Sequence, residues 1–217
     1  MNIALHRGAR FLLSIVMLGA VALQGVSATA AQQSTGGTLV GAFDVGPGGC
    51  PECFNPLQAT AGFTWLEKYY SKLLLYDVTF SQIQGELAES WDVSPDATQY
   101  TLKLRPGVTW HDGQPFTSAD VKFTIELAKH PDSASYIGAK FTSVESIETP
   151  DDLTVVLKLS QPNAAILDAL TFLVMLPKHA LESIPPADLV KSDWWRTNPI
   201  GTGPFKWSQY KPGEYVE

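Results

Sequence analysis

Tyr100-Thr101-Leu102-Lys103-Leu104-Arg105-Pro106-Gly107-Val108-Thr109-Trp110-His111-Asp112-Gly113-Gln114-Pro115-Phe116-Thr117-Ser118-Ala119-Asp120-Val121-Lys122-Phe123-Thr124 is the stretch from which the other elements can be ordered. Residues 99–104 alternate strictly between polar and apolar, which predicts a strand with one buried face. Val108-Thr109-Trp110 is a second short apolar run, and Asp112-Gly113 directly after it is a turn signal. Thr117-Ser118-Ala119-Asp120 reads as a capping box in its Asp form: the Thr117 hydroxyl satisfies an orphan amide while Asp120 reaches back at the positive helix end. Val121, Ile125 and Ala128, flanked by Phe123 and Leu127, form the buried stripe of the helix that follows, and Pro131 marks its end.

Working outward, residues 86–93 form a partner strand joined to 99–104 through the turn Ser94-Pro95-Asp96-Ala97. Downstream, residues 143–148 and 153–159 alternate across Thr149-Pro150-Asp151-Asp152 and predict a hairpin. Short helices are expected at 163–170 and 186–191, and Pro204-Phe205-Lys206-Trp207 starts a late strand. Upstream, residues 38–43 read as a strand ended by Gly46-Pro47-Gly48-Gly49. From Phe63, Leu66, Tyr69, Tyr70, Leu73 and Leu74 recur at helical spacing, with Glu67, Lys68 and Lys72 on the other side. The fold class is therefore mixed α/β (α+β) with mostly antiparallel strand pairs.

Composition narrows the function classes. The 217 residues are 45% hydrophobic and 17% charged, which excludes a disordered chain. Seventeen glycines and 15 prolines, scattered between apolar runs, speak against a helical bundle. With 15 Lys and Arg against 22 Asp and Glu and no basic cluster, the chain lacks the footprint of a nucleic-acid binder. Residues 1–30 carry Arg7 and Arg10 without an acid, then an apolar run too short to span a bilayer, then Ala28-Thr29-Ala30. This is the layout of a secretory signal peptide cleaved after Ala30, which predicts a soluble, periplasmic protein.

Candidate chemistry is sparse. Cys50-Pro51-Glu52-Cys53 is the only cysteine pair. It allows a periplasmic thiol-disulfide oxidoreductase, but the glycines and Asn55-Pro56 around it delay helix onset, and a small structural disulfide is favoured in an oxidising compartment. His111 reads as part of the Asp112-Gly113 turn, His130 as a helix-end cap, and His179 as lying at a helix start after Pro177. There is no G-x-S-x-G, H-E-x-x-H or Walker-type loop. No catalytic set, metal site or cofactor is expected. Among the aromatic residues, Trp65, Trp91 and Trp110 read as core, whereas Trp194 and Trp195, in a polar loop between Asp193 and Arg196, are candidates for ligand contact.

Taken together with Leu87-Ala88-Glu89-Ser90-Trp91 and Ser94-Pro95-Asp96, the 100–124 stretch closely resembles the signature of family 5 bacterial extracellular solute-binding proteins, the dipeptide, oligopeptide and nickel binders of ABC importers. Asn55-Pro56-Leu57 and Asn198-Pro199-Ile200-Gly201-Thr202-Gly203-Pro204-Phe205 match in the expected order. Departures are Trp110 where phenylalanine is usual and the Cys50 to Cys53 insertion. The resemblance covers the chain from about Gly36. It implies a periplasmic binding protein type II-like, two-lobed fold that closes on its solute by a hinge, acts as a monomer, and delivers the solute to a permease driven by a separate ATPase. It is a non-enzymatic role, for peptides first, with nickel chelates, sugars or other solutes, or a sensor or chaperone use of the fold, as alternatives.

On the family's map, residues 31–217 are the N-terminal part of the binding domain: 36–76 the first segment of lobe one, 77–185 an extra subdomain, and 186–217 the return to lobe one. The chain stops at Tyr215-Val216-Glu217 inside an apparent strand, so a piece lacking the opposing lobe is expected. What remains is the near wall of the cleft. The resemblance points to the loop Thr60, Ala61, Gly62, Phe63 and Thr64 as solute-contacting, with Trp194, Trp195 and the backbone-exposing loop around Thr202 as further candidates.

Overall fold

The computed structural model describes residues 54–59 and 66–217. The leader, the strand expected over 38–43, Cys50, Cys53 and the loop 60–64 lie outside them. The central sheet comes from the alternating segments. Strands β3 (Ala88–Val93), β4 (Gln99–Leu104), β5 (Val144–Asp151) and β6 (Thr154–Leu159) pair antiparallel in the order β3-β4-β6-β5. They follow a short hairpin of β1 (Leu74–Tyr76) and β2 (Ile83–Gly85).

Register follows the alternation. Tyr100 faces Leu157 and Leu102 faces Val155, so the apolar residues of β4 and β6 share one side. Tyr100, Leu102, Leu104, Val155, Leu157 and Leu159 are all buried. Helix α1 (Ser118–Lys129) covers that side with Val121, Ile125, Leu127 and Ala128. Burying such a side chain contributes roughly 1.5–3 kcal/mol before chain entropy is set against it, so this layer contributes substantially to stability. Thr117 is the N-cap, and its amide donates to the Asp120 Oδ2 at 2.9 Å, the backward half of the predicted box. His130 ends α1 and caps the 3-10 turn that follows, its Nδ1 accepting from the Asp132 amide at 3.2 Å.

Four local expectations are corrected. The apolar residues of the stripe 66–74 are buried as expected, but of these nine residues only Leu66 is helical and Tyr70 closes a turn onto it, the Tyr70 amide donating to the Leu66 carbonyl at 2.9 Å. Beyond that point Lys72 bridges to Val174 and Leu74 pairs with Gly85, so long-range strand pairing overrides the local period. Strand β5 runs through Pro150, with a register shift between Glu148 and Asp151 where a residue without an amide proton can sit. The turn falls later, closed by the Asp151 Oδ1 accepting from the Leu153 amide at 2.9 Å.

Pro204 to Trp207 is not strand; regular pairing resumes only at β7 (Tyr210–Lys211) with β8 (Tyr215–Val216). Between β6 and β7 lie four short helices, α2 (Ile166–Leu170), α3 (Lys178–Leu181), α4 (Pro186–Leu189) and α5 (Trp194–Thr197). The last of these replaces the polar loop expected around Trp194. Among the described residues no helix is long and apolar enough to cross a membrane.

The β1–β2 loop is organised by one carboxylate. Asp77 accepts from the Thr79 and Ser81 hydroxyls at 2.7 and 2.9 Å and from the Ser81 and Gln82 amides at 2.7 and 3.2 Å. Led by the Thr79 hydrogen bond, these donors hold its carboxyl at about 2. The folded value is depressed, so the loop's share of stability is complete above the ordinary aspartate value of about 3.9 and fades as pH falls through about 2. Amide exchange at Ser81 and Gln82 is expected to accelerate over that acid window in the native protein. In Asp77→Ala both amides should exchange fast at every pH, and an unchanged exchange profile would refute the assignment.

Candidate functional site

Leu66 to Tyr70 are the first described residues after the predicted contact loop, and the chain 201–205 is laid directly on Lys68 and Tyr69. The Gly203 amide donates to the Tyr69 carbonyl at 3.0 Å, and the Phe205 amide to the Lys68 carbonyl at 2.9 Å. This approach requires glycine at positions 201 and 203 of the strip. A Cβ on Gly201 would stand 1.6 Å from the Tyr69 oxygen, and one on Gly203 2.7 Å from the Tyr69 Cα.

Behind the strip stands an aromatic layer. Tyr69 and Tyr70 lie 4.6 Å apart, Trp207 is 5.8 Å from Tyr69, and Phe54 joins Trp207 at 5.7 Å and Tyr210 at 4.6 Å. Burial pushes the Tyr69 and Tyr70 phenols far above their usual range, so both remain neutral hydroxyls. Thr202, between the two glycines, is half-buried, and its hydroxyl is enclosed without a hydrogen-bond partner, as is that of Tyr70. Enclosed hydroxyls lacking partners cost stability, and a ligand or water that supplies a hydrogen bond recovers it.

His111 grips the strip from the opposite side. Its amide donates to the Gly201 carbonyl at 2.9 Å. Its ring Nδ1 lies 3.2 Å from the Gly201 amide and its Nε2 2.8 Å from the Gly203 carbonyl, while Lys206 Nζ donates to the His111 carbonyl at 2.9 Å. The expected turn is also present, with Gly113 at a φ of +90° and its amide donating to the Trp110 carbonyl at 2.9 Å. The ring's role was missed because its partners are about ninety residues away.

The two candidate tryptophans stand side by side at the start of α5. Trp195 is 2% exposed and its Nε1 donates to the Leu189 carbonyl at 2.7 Å, so the indole serves the core. Trp194 is half-buried and stands edge-on to Trp195 at 5.0 Å. Arg196 is paired with Asp193, the N-cap of α5. A groove of about 320 Å³ beside them is lined by Asn55, Gln58, Lys191, Ser192, Trp195 and Arg196.

The remaining histidine among the described residues, His179, pairs with Asp112 at 2.7 Å at the protein surface. Although desolvation opposes it, hydrogen bonds from the Gln114 amide and His179 hold the Asp112 carboxyl below its ordinary value. Among the described residues no cluster of three His, Cys, Asp or Glu could hold a metal.

The α+β framework of the described residues presents a glycine-lined backbone strip over an aromatic layer, an arrangement suited to close approach of a ligand backbone. The family model "Bacterial extracellular solute-binding proteins, family 5 Middle" matches residues 82–217, and the chain belongs to that family. A Brucella ovis protein described as a peptide-binding protein of an ABC transporter is 50% identical over 204 residues, covering 94% of this chain and 38% of the relative. The Bacillus subtilis oligopeptide-binding protein AppA, in complex with a nonapeptide, superposes with a TM-score of 0.71 at 32% identity over 75% of this chain and 33% of its own. NikZ from Campylobacter jejuni, in complex with Ni(L-His), gives 0.66 at 38% identity over 75% and 32%. The chain thus spans about two fifths of the length of the curated relatives it matches. None of these relatives lends support to an oxidoreductase role for Cys50 and Cys53.

Proposed function

We propose that this chain provides the near wall of the solute cleft in the substrate-binding component of an ABC importer, which captures short peptides outside the inner membrane and hands them to a permease driven by its ATPase. It acts by binding, not catalysis. The observation that carries the reading is the half-identical relative described as a peptide-binding protein. The strip 201–205 supports it, since peptide recognition rests on backbone approach, which glycine permits. Residues 1–30 serve as the leader cleaved at Ala30, and Cys50 and Cys53 form a disulfide in the oxidising compartment.

Residues 36–76 and 186–217 belong to lobe one and 77–185 to the subdomain packed on it. This division agrees with the four-stranded sheet and α1 all falling within 77–185. The loop Thr60 to Thr64 supplies the direct contacts, with Trp194, Trp195 and Thr202 as further candidates, and the protein works as a monomer. Isothermal titration of the protein with a set of short peptides, trialanine among them, and separately with nickel-histidine, tests the solute class. Saturable peptide binding is expected, and Phe63→Ala should weaken it about tenfold or more through lost aromatic contact. Binding of nickel-histidine with no peptide binding would replace the peptide reading, and unchanged affinity in Phe63→Ala would remove that residue from the site.

A further inference from the structure

We propose that His111 is the positioning residue of the strip 201–205, held as the neutral Nε2–H tautomer. The chemistry of its partners leaves no other assignment. An amide N–H can only donate, so the Nδ1 facing the Gly201 amide at 3.2 Å must carry a lone pair. A carbonyl can only accept, so the Nε2 at 2.8 Å from the Gly203 oxygen must carry the proton. The Nδ1–H tautomer would oppose two donors at Gly201 and two acceptors at Gly203. The imidazolium would oppose donors at Gly201 alone.

The geometry around the ring gives this role weight. His111 and Lys206 together place four hydrogen bonds between the 111 turn and a six-residue segment, counting the His111 amide to the Gly201 carbonyl and Lys206 Nζ to the His111 carbonyl. The other edge of the same segment is bonded to Lys68 and Tyr69. The strip is therefore clamped between the turn that precedes α1 and the chain that leads from the 60–64 loop. Thr202 sits at the centre of that clamp, and its enclosed hydroxyl has no partner. His111 sets where that hydroxyl and the flanking backbone stand. Its consequence for solute binding rests on the reading of the strip as cleft wall.

Long-range proton–nitrogen spectra of the imidazole ring in the native protein at neutral pH are expected to show the Nε2–H pattern for His111. Two conservative variants divide the clamp, because the asparagine oxygen falls near Nδ1 and the glutamine amide nitrogen near Nε2. His111→Asn should keep Gly201 amide protection close to native. His111→Gln and His111→Phe should speed Gly201 exchange about tenfold, the loss of one net hydrogen bond. An Nδ1–H pattern, or Gly201 exchange in His111→Gln within about twofold of native, would overturn the proposal. Should His111→Phe fail to fold, the native ring spectrum and the Asn and Gln pair decide it alone. Trialanine titration of the native protein and His111→Gln runs alongside: no binding by the native protein counts against the peptide reading, whereas the ring and exchange results judge the clamp independently.

Discussion

Gly201→Ala is expected to destabilise the protein by about 3 kcal/mol or more, the cost of forced overpacking together with broken hydrogen bonds. The new methyl would stand 1.6 Å from the Tyr69 carbonyl oxygen and 2.6 Å from its carbon, both backbone atoms that no rotamer change can move aside. Relief requires the strip to withdraw, and withdrawal breaks the Gly203 amide bond to Tyr69 as well as the His111 contacts on the other edge. Gly107 supplies the control. It has a φ of +75° and nothing within 4 Å of its would-be Cβ, so Gly107→Ala meets only left-handed backbone strain of about 1–2 kcal/mol. Urea unfolding of both variants measures the difference. A Gly201→Ala protein within about 1 kcal/mol of native would mean that the strip is not pressed on Tyr69 as described.

The contrast between these two glycines also marks what could be read from the chain. A positive-φ turn is announced locally, as Pro106-Gly107 and Asp112-Gly113 are, because neighbouring residues set it. The need for glycine at 201 arises from Tyr69, which is distant in sequence, and no local pattern carries it. The same division runs through the fold. Residues 99–104 and 118–129 were legible because alternation and a capping box are properties of a few adjacent residues.

The stripe 66–74 was half legible: every apolar residue singled out is buried, but the backbone leaves the helix after Leu66, and Lys72 then finds Val174 and Leu74 finds Gly85. Pro150 looked like the centre of a turn and instead occupies an irregularity in β5. At the site, Thr202 was singled out for the loop it occupies, whereas His111 was read as turn because both partners of its ring are remote. The loop 60–64 was reached only through the family resemblance and lies outside the described residues.

Asp120→Ala is expected to cost about 4 kcal/mol, far more than the roughly 1 kcal/mol that loss of a helix cap ordinarily brings. The sequence alone assigns this residue a local duty at the third position of α1. The structure adds two distant ones. Asp120 is 4% exposed; its Oδ2 accepts from the Thr117 amide at 2.9 Å and from the Trp110 Nε1 at 3.4 Å, and its Oδ1 accepts from the Lys178 amide at 3.0 Å. Truncation strands these three donors, two of them on other segments of the chain, and each stranded interior donor costs about 1–3 kcal/mol. Asp120→Asn separates charge from shape. Its single oxygen can serve either Thr117 and Trp110 or Lys178, while its amide faces a donor on the other side, so about 2 kcal/mol should be lost. Urea unfolding gives the two costs. Faster exchange of the Lys178 amide than of the Thr117 amide in Asp120→Asn would show that the oxygen stays with the cap and that α3 is released first. Equal and small losses in both variants, below about 1 kcal/mol, would reduce Asp120 to an ordinary cap.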